Sequence, residues 1–256
     1  MSDEYTCEKL IEIMATLRGA QGCPWDKEQT HESLKRYLIE EAYEIIDTID
    51  AGDPEHLKEE LGDLLLQIVF HAQIAAEEKN FDMKDVLEGI ITKLIRRHPH
   101  VFGEVEVTSA RDVIKNWEEI KSREKEEKSV IAGIPKSLPA LLYAYKLQSK
   151  AARIGFDWES VEGVLEKITE EVSELKSARQ GNGKVEEEVG DLLFAIVNVA
   201  RHLDVDPELA LKETCSKFER RFKYMEGESR KIGKNLADMS LLEKDKLWDK
   251  AKEEGR

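Results

Sequence analysis

The feature that most constrains this chain is a helical pattern of acidic and apolar residues that occurs twice. Glu40-Glu41-Ala42-Tyr43-Glu44 is followed by Glu59-Glu60-Leu61-Gly62-Asp63, and Glu170-Glu171-Val172-Ser173-Glu174 by Glu187-Glu188-Val189-Gly190-Asp191. Around the first pair, Leu38, Ala42, Ile45, Ile46 and Ile49 recur at helical spacing, as do Leu57, Leu61, Leu64, Leu65, Ile68 and Val69. Between them, Ala51-Gly52-Asp53-Pro54 supplies a stop, a turn and a proline that can open the next helix. Around the second pair, Val164, Leu165, Ile168, Val172 and Leu175 mark one helix. Val185, Val189, Leu192, Leu193 and Ile196 mark the next, with Gly181-Asn182-Gly183 as the turn. The pattern predicts an all-α chain built on two helix hairpins. The stretch from Val101 to Val107 is short and lies among turn-formers, so no strand is expected there.

The repeat extends beyond the acids. Cys23-Pro24-Trp25-Asp26 opens one half and Gly155-Phe156-Asp157-Trp158 the other. A basic cluster follows each hairpin: Lys93, Arg96 and Arg97, then Lys217, Arg220 and Arg221. Each half closes with a Trp four residues before a Lys, Trp117 with Lys121 and Trp248 with Lys252, so all four tryptophans fall in matched places. A fixed internal repeat of this kind is a repeated structural unit. Ile131-Ala132-Gly133-Ile134-Pro135-Lys136-Ser137-Leu138-Pro139 interrupts the helical pattern after a charged run at 121–128 that ends a solvated helix. The expected layout is a domain over 1–128, a linker over 129–140 and a second domain over 141–256, which 256 residues can fill.

Residues three apart on a helix share one side. Glu41 with Glu44, and Glu60 with Asp63, therefore present paired carboxylates. If the hairpin helices pack antiparallel, the four meet at one height, roughly 12–16 Å from the turn at 1.5 Å per residue. Glu171, Glu174, Glu188 and Asp191 repeat the arrangement. A helical wheel puts Glu40 and Glu59 opposite the apolar stripe, on a solvated face, and sets Glu170 and Glu187 aside in the same way. Glu41 and Glu60 flank the stripe instead. Four acids at the edge of a packed pair repel one another unless a divalent cation neutralises them. An oxygen-only ligand set suits Mg²⁺ or Mn²⁺ rather than zinc.

The remaining composition limits the partners. A formal net charge of −15 argues against a nucleic-acid-binding surface, which needs a basic face. It leaves room for a small phosphorylated ligand carried with bound metal. No tract of 18 apolar residues offers a membrane span. Cys7, Cys23 and Cys215 lie far apart and imply no disulfide framework or zinc ribbon. With an acidic N-terminus lacking an apolar signal region, this points to the cytoplasm.

With quadruplets, tryptophan motifs and basic clusters in hand, the chain resembles the MazG family of the all-α NTP pyrophosphatase superfamily. The resemblance covers essentially the whole chain, including residues 19–26, 133–140 and 146–158. It implies two tandem MazG-like domains and hydrolysis of nucleoside triphosphates between the α and β phosphates, giving a nucleoside monophosphate and pyrophosphate. Mg²⁺ held by Glu171, Glu174, Glu188 and Asp191 would bind the triphosphate and polarise a water. Lys217 and Arg221, four apart on a helix, would neutralise the leaving pyrophosphate. Arg96 and Arg220 are adjacent alternatives, and a solvated basic face is the rival reading of Lys217 and Arg221. Trp248 would stack on the base or cap the site, with Lys252 reaching phosphate; alternatively its ring is buried where the last helix docks. The resemblance also brings Lys167, one turn before Glu171, toward the nucleotide. It favours the second half as catalytic, although the first keeps Glu41, Glu44, Glu60, Asp63, Lys93, Arg97, Trp117 and Lys121.

Two rival readings use the same helices. A di-iron carboxylate bundle needs Glu-x-x-His pairs, and the only one, Glu28 with His31, lies outside the quadruplets. A non-catalytic helical nucleotide-sensing or interaction module leaves the matched tryptophans unexplained. A hairpin cannot bury both of its faces alone, so pairing into four-helix bundles is expected. The resemblance makes that pairing a homodimer of like domains. No residue pattern specifies a regulatory protein partner.

Overall fold

The computed structural model describes residues 5–124 and 129–255, and among them the chain is all-helical with no strand. The described residues form two compact units, divided between residues 124 and 129. The end of the charged run and the boundary expected at 128 lie outside the described residues.

The first unit comprises α1 (Cys7–Arg18), α2 (Pro24–Glu28), α3 (His31–Ala51), α4 (Pro54–Glu77), α5 (Met83–Arg97), α6 (Pro99–Phe102) and α7 (Ala110–Glu124). A capping box starts α3: Thr30 Oγ1 accepts from Ser33 N at 3.2 Å, and Ser33 Oγ accepts from Thr30 N at 3.0 Å. The helix ends at Gly52, whose φ of 66° lies in the left-handed region that glycine tolerates best. Asp53 then caps α4 by accepting from Glu55 N and His56 N, both at 3.1 Å, and Pro54 takes the first helical position. The antiparallel α3–α4 hairpin is the centre of the unit. Its core gathers Met14 of α1, Leu34 of α3, and Val69, Phe70 and Ile74 of α4. Burying a side chain such as Leu34 contributes about 1.5–3 kcal/mol. Arg18 ties α1 to this hairpin: its guanidinium donates to Glu77 at 2.8 and 2.9 Å, and to the carbonyls of Asp26 and Gln29.

The second unit contains α8 (Ala140–Ala152), α9 (Val161–Ala178), α10 (Val185–His202), α11 (Pro207–Lys231) and α12 (Leu241–Glu253). Here α9 and α10 form the matching hairpin, joined through Gly181 (φ 97°) and Gly183 (φ 141°). Glu186, Glu187 and Glu188 occupy the first turn of α10, where carboxylates complement the helix dipole. α8 packs along α10, and α12 docks on α11. Glu228 of α11 clamps that last contact through Lys250 at 2.9 Å, while also pairing with Lys231 at 2.7 Å. Val164, Ala195, Val197, Met225 and Ala251 are buried within the unit. No helix among the described residues is long and apolar enough to cross a membrane.

Candidate active site

Both hairpins bring acids together, though not as complete quadruplets. In the second unit, Glu171, Glu174 and Glu188 each offer an oxygen within 4.8 Å of the others. Glu171 is only 4% exposed. Lys167, one turn earlier on α9, holds Glu171 Oε1 at 2.7 Å and also reaches Glu170 at 2.8 Å. The hydrogen bonds to Glu170 and Glu171 raise the Lys167 pKa above its ordinary value. The other oxygen, Glu171 Oε2, is buried and has no hydrogen-bond partner. A buried anionic oxygen without a partner is costly, and a cation beside it removes the cost. Glu174 is pushed above the usual carboxylate range, first by desolvation, with Lys167 opposing and Glu171, Glu170 and Glu188 adding repulsion. Asp191 stands outside this tight group and lines the adjoining cavity together with Glu171.

In the first unit the tight group is Glu41, Glu60 and Asp63, all half-buried. Glu44 lies outside it but hydrogen-bonds with Glu41. Desolvation, followed by repulsion from Asp63 and Glu44, raises the Glu41 pKa. Glu60 is raised in the same way, by desolvation and then by Glu44 and Asp63. Glu40, Glu59, Glu170 and Glu187 are exposed, where the wheel puts them.

The basic clusters and closing tryptophans lie on other helices than the acids, α5 and α7 in the first unit and α11 and α12 in the second. Lys93 and Arg97 lie on α5, and Trp117 and Lys121 on α7. Arg97 sits over the Trp117 ring, 5.1 Å from its centroid, with His98 edge-on at 5.0 Å. Glu124 takes both nearby guanidiniums, Arg96 at 2.7 Å and Arg97 at 2.5 Å. Lys217 and Arg221 lie on α11, and Trp248 and Lys252 on α12. The Trp248 ring packs 5.2 Å from Phe218 and 5.5 Å from Arg221, so it docks α12 on α11. Lys252 pairs with Asp249 at 2.9 Å. Seven residues after Trp117 stands Glu124; seven after Trp248 stands Gly255, which carries no carboxylate.

A cavity of about 440 Å³ adjoins the acids of the second unit. Lys167, Glu171 and Asp191 line it, with Phe156, Trp158 and Phe194 as aromatic walls. Two buried amides, Gln148 (8% exposed) and Asn198 (4% exposed), also face it. Arg201 donates to Asn198 Oδ1 at 2.7 and 2.9 Å and bonds Asp157, which also meets His202 at 3.0 Å. Burial pushes the Asp157 pKa up, but the bonds from Arg201 and His202 outweigh it and leave it lowered. The matched Trp motif pointed to Trp158. Gln148, Asn198 and Arg201 carry no motif; the one available signal was a lone Asn inside the apolar run Ile196-Val197-Asn198-Val199. In the first unit, Tyr37 stands one turn before Glu41 where Lys167 precedes Glu171, and Phe70 stands seven after Asp63 where Asn198 follows Asp191. Trp25 packs edge-on against both, at 6.1 and 6.4 Å.

Antiparallel helix hairpins that each gather carboxylates, one beside an aromatic cavity, define an all-α protein with two acidic centres. The model of the MazG nucleotide pyrophosphohydrolase domain matches residues 29–102 and 159–225, taking in both hairpins. The chain belongs to the MazG family. It is 51% identical over 247 residues to the nucleoside triphosphate pyrophosphohydrolase/pyrophosphatase MazG of Thermotoga maritima, covering 96% of this chain and 95% of that protein. It is 44% identical over 253 residues to the nucleoside triphosphate pyrophosphohydrolase of Escherichia coli K12, covering 96% of each chain. A crystal structure of a mazG-related protein from Thermotoga maritima aligns with TM-score 0.39 at 29% identity, over 45% of this chain and 98% of that one.

Proposed function

We propose that the protein hydrolyses nucleoside triphosphates between the α and β phosphates, with the Glu171 hairpin as the working site. The observation that carries this reading is Glu171 itself: a buried carboxylate with one oxygen on Lys167 and the other unpartnered, beside two further acids and a cavity. The names borne by the relatives support the substrate class. The donor set fits a divalent cation, Mg²⁺ or Mn²⁺, because every ligand is a carboxylate oxygen. Glu171, Glu174, Glu188 and Asp191 would hold it. Such a cation supplies charge neutralisation for the triphosphate and Lewis-acid activation of water.

The chain's own residues do the rest. A carboxylate of the set that is not fully engaged accepts the water's proton. Lys167 holds Glu171 in place and brings positive charge to the cavity lining. Lys217 and Arg221 neutralise the departing pyrophosphate, and Lys252 reaches phosphate beside Trp248. The first unit keeps Glu41, Glu44, Glu60 and Asp63 with Lys93, Arg97, Trp117 and Lys121. One observation favours the second unit over it: aromatic rings stand where Lys167 and Asn198 stand in the second. The reading includes a cytoplasmic homodimer in which like units pair.

The test is the product. Incubated with ATP or dCTP and Mg²⁺, the protein should release pyrophosphate and the nucleoside monophosphate, followed by ³¹P NMR. Orthophosphate with a nucleoside diphosphate would contradict the cleavage position. Absence of turnover would favour a nucleotide-sensing module.

A further inference from the structure

We infer that Gln148 and Asn198 form a fixed acceptor–donor pair that reads the hydrogen-bonding edge of the nucleobase; this rests on the proposed nucleotide reading of the same site. Both amides are more than nine-tenths buried and both line the cavity. An amide's oxygen and nitrogen are normally interchangeable in assignment, but here the partners decide. Gln148 Nε2 donates at 2.8 Å to the Phe194 carbonyl, which can only accept, so the nitrogen rather than the oxygen faces that carbonyl. Its oxygen, Oε1, is left buried with no partner. Asn198 shows the reverse. Its Oδ1 accepts twice from Arg201, a side chain that can only donate, so Nδ2 is the group it has to offer.

A ligand that satisfies both must present a donor to Gln148 and an acceptor to Asn198. Apart from these two amides and the charged Asp157, Lys167, Glu171, Asp191 and Arg201, the rest of the lining is aromatic and aliphatic, which suits a flat ring. A nucleobase is a planar heterocycle of this kind, with donor and acceptor side by side. The register agrees. Asn198 lies seven residues beyond Asp191 on α10, about 10 Å at 1.5 Å per residue, a span that a sugar and base can bridge from the acids. Arg201 is a positioning residue, held in turn by Asp157. Phe70 takes the place of Asn198 in the first unit, so this pair belongs to the second alone.

The experiment uses full-length protein with Mg²⁺ and compares ATP with purine ribonucleoside triphosphate, which keeps ring nitrogen N1 and lacks the 6-amino donor. Inorganic triphosphate, as a competitor, is the base-free control. Leaving Gln148 Oε1 unpaired should lower kcat/KM for the analogue by roughly 10- to 100-fold. In Gln148→Leu the ratio of the two substrates should fall toward one. Because the ratio is taken on a single preparation, loss of folded protein cancels. Asn198→Asp keeps the oxygen for Arg201 and replaces the donor; it should lower kcat/KM for ATP about tenfold or more while the Ki of inorganic triphosphate stays at the parent value. A parent protein that cleaves ATP and the analogue equally well overturns the base-reading pair and leaves the pyrophosphohydrolase reading standing. An unchanged ratio in Gln148→Leu, or unchanged ATP kinetics in Asn198→Asp, does the same. Turnover of neither nucleotide by the parent overturns both.

Discussion

Two glutamates three residues apart on α9 show how position alone separates chemical states. Glu171 is buried and held by Lys167, whereas Glu174 is exposed with its pKa raised by desolvation and by Glu171, Glu170 and Glu188. A group whose folded pKa is raised stabilises the protein below that pKa and loses the contribution as pH rises through it. Metal-free protein at neutral pH therefore carries the repulsion. Glu174→Gln should raise the Tm of chelator-treated protein by a few degrees at most, with the difference vanishing on acidification. The same variant should lose most of the Tm increase that Mg²⁺ gives the parent. A parent protein unmoved by Mg²⁺ would contradict the ligand role. The wheel was enough to single out Glu41 and Glu60, because burial on a helix follows its apolar stripe. It could not show that Glu44 and Asp191 stand outside the tight groups, since side-chain reach depends on the facing helix. Gln148 was invisible for a related reason: its partner, the Phe194 carbonyl, lies 46 residues away.

The hairpin is the element on which the rest depends. Its boundaries were legible where backbone chemistry is strict: Gly52 in the left-handed region, Pro54 at the first position of α4, Gly181 and Gly183 between α9 and α10. The four-residue α6 was not, because so short a helix has no periodicity, only Pro99 to open it. Each hairpin has more apolar surface than its own unit covers. On α10, Val189, Leu193 and Ile196 repeat at helical spacing and are 41%, 49% and 47% exposed. Pairing with a like hairpin would bury that stripe, at about 25 cal/mol per Å². Sedimentation equilibrium should give a dimer mass, and Leu193→Glu should shift it toward the monomer. A parent protein that is monomeric at micromolar concentration would contradict the pairing.

Across the whole chain, the repeat that organises the sequence also organises the structure, with one α-hairpin unit on each side of residues 125–128. The copies have diverged around the acids more than at them. The first unit carries Tyr37 and Phe70 at the places where the second has Lys167 and Asn198. Matching motifs in a sequence conceal this asymmetry, because it resides in which neighbours fill the space beside them. The proposed assignment of turnover to the second hairpin rests on it. The most direct measurement is pyrophosphate release from ATP and Mg²⁺ by Glu171→Gln and Glu41→Gln, each on full-length protein with folding checked by circular dichroism. The predicted result is a loss of at least a hundredfold in kcat for Glu171→Gln and near-parent activity for Glu41→Gln. Equal residual activity in the two variants would contradict it.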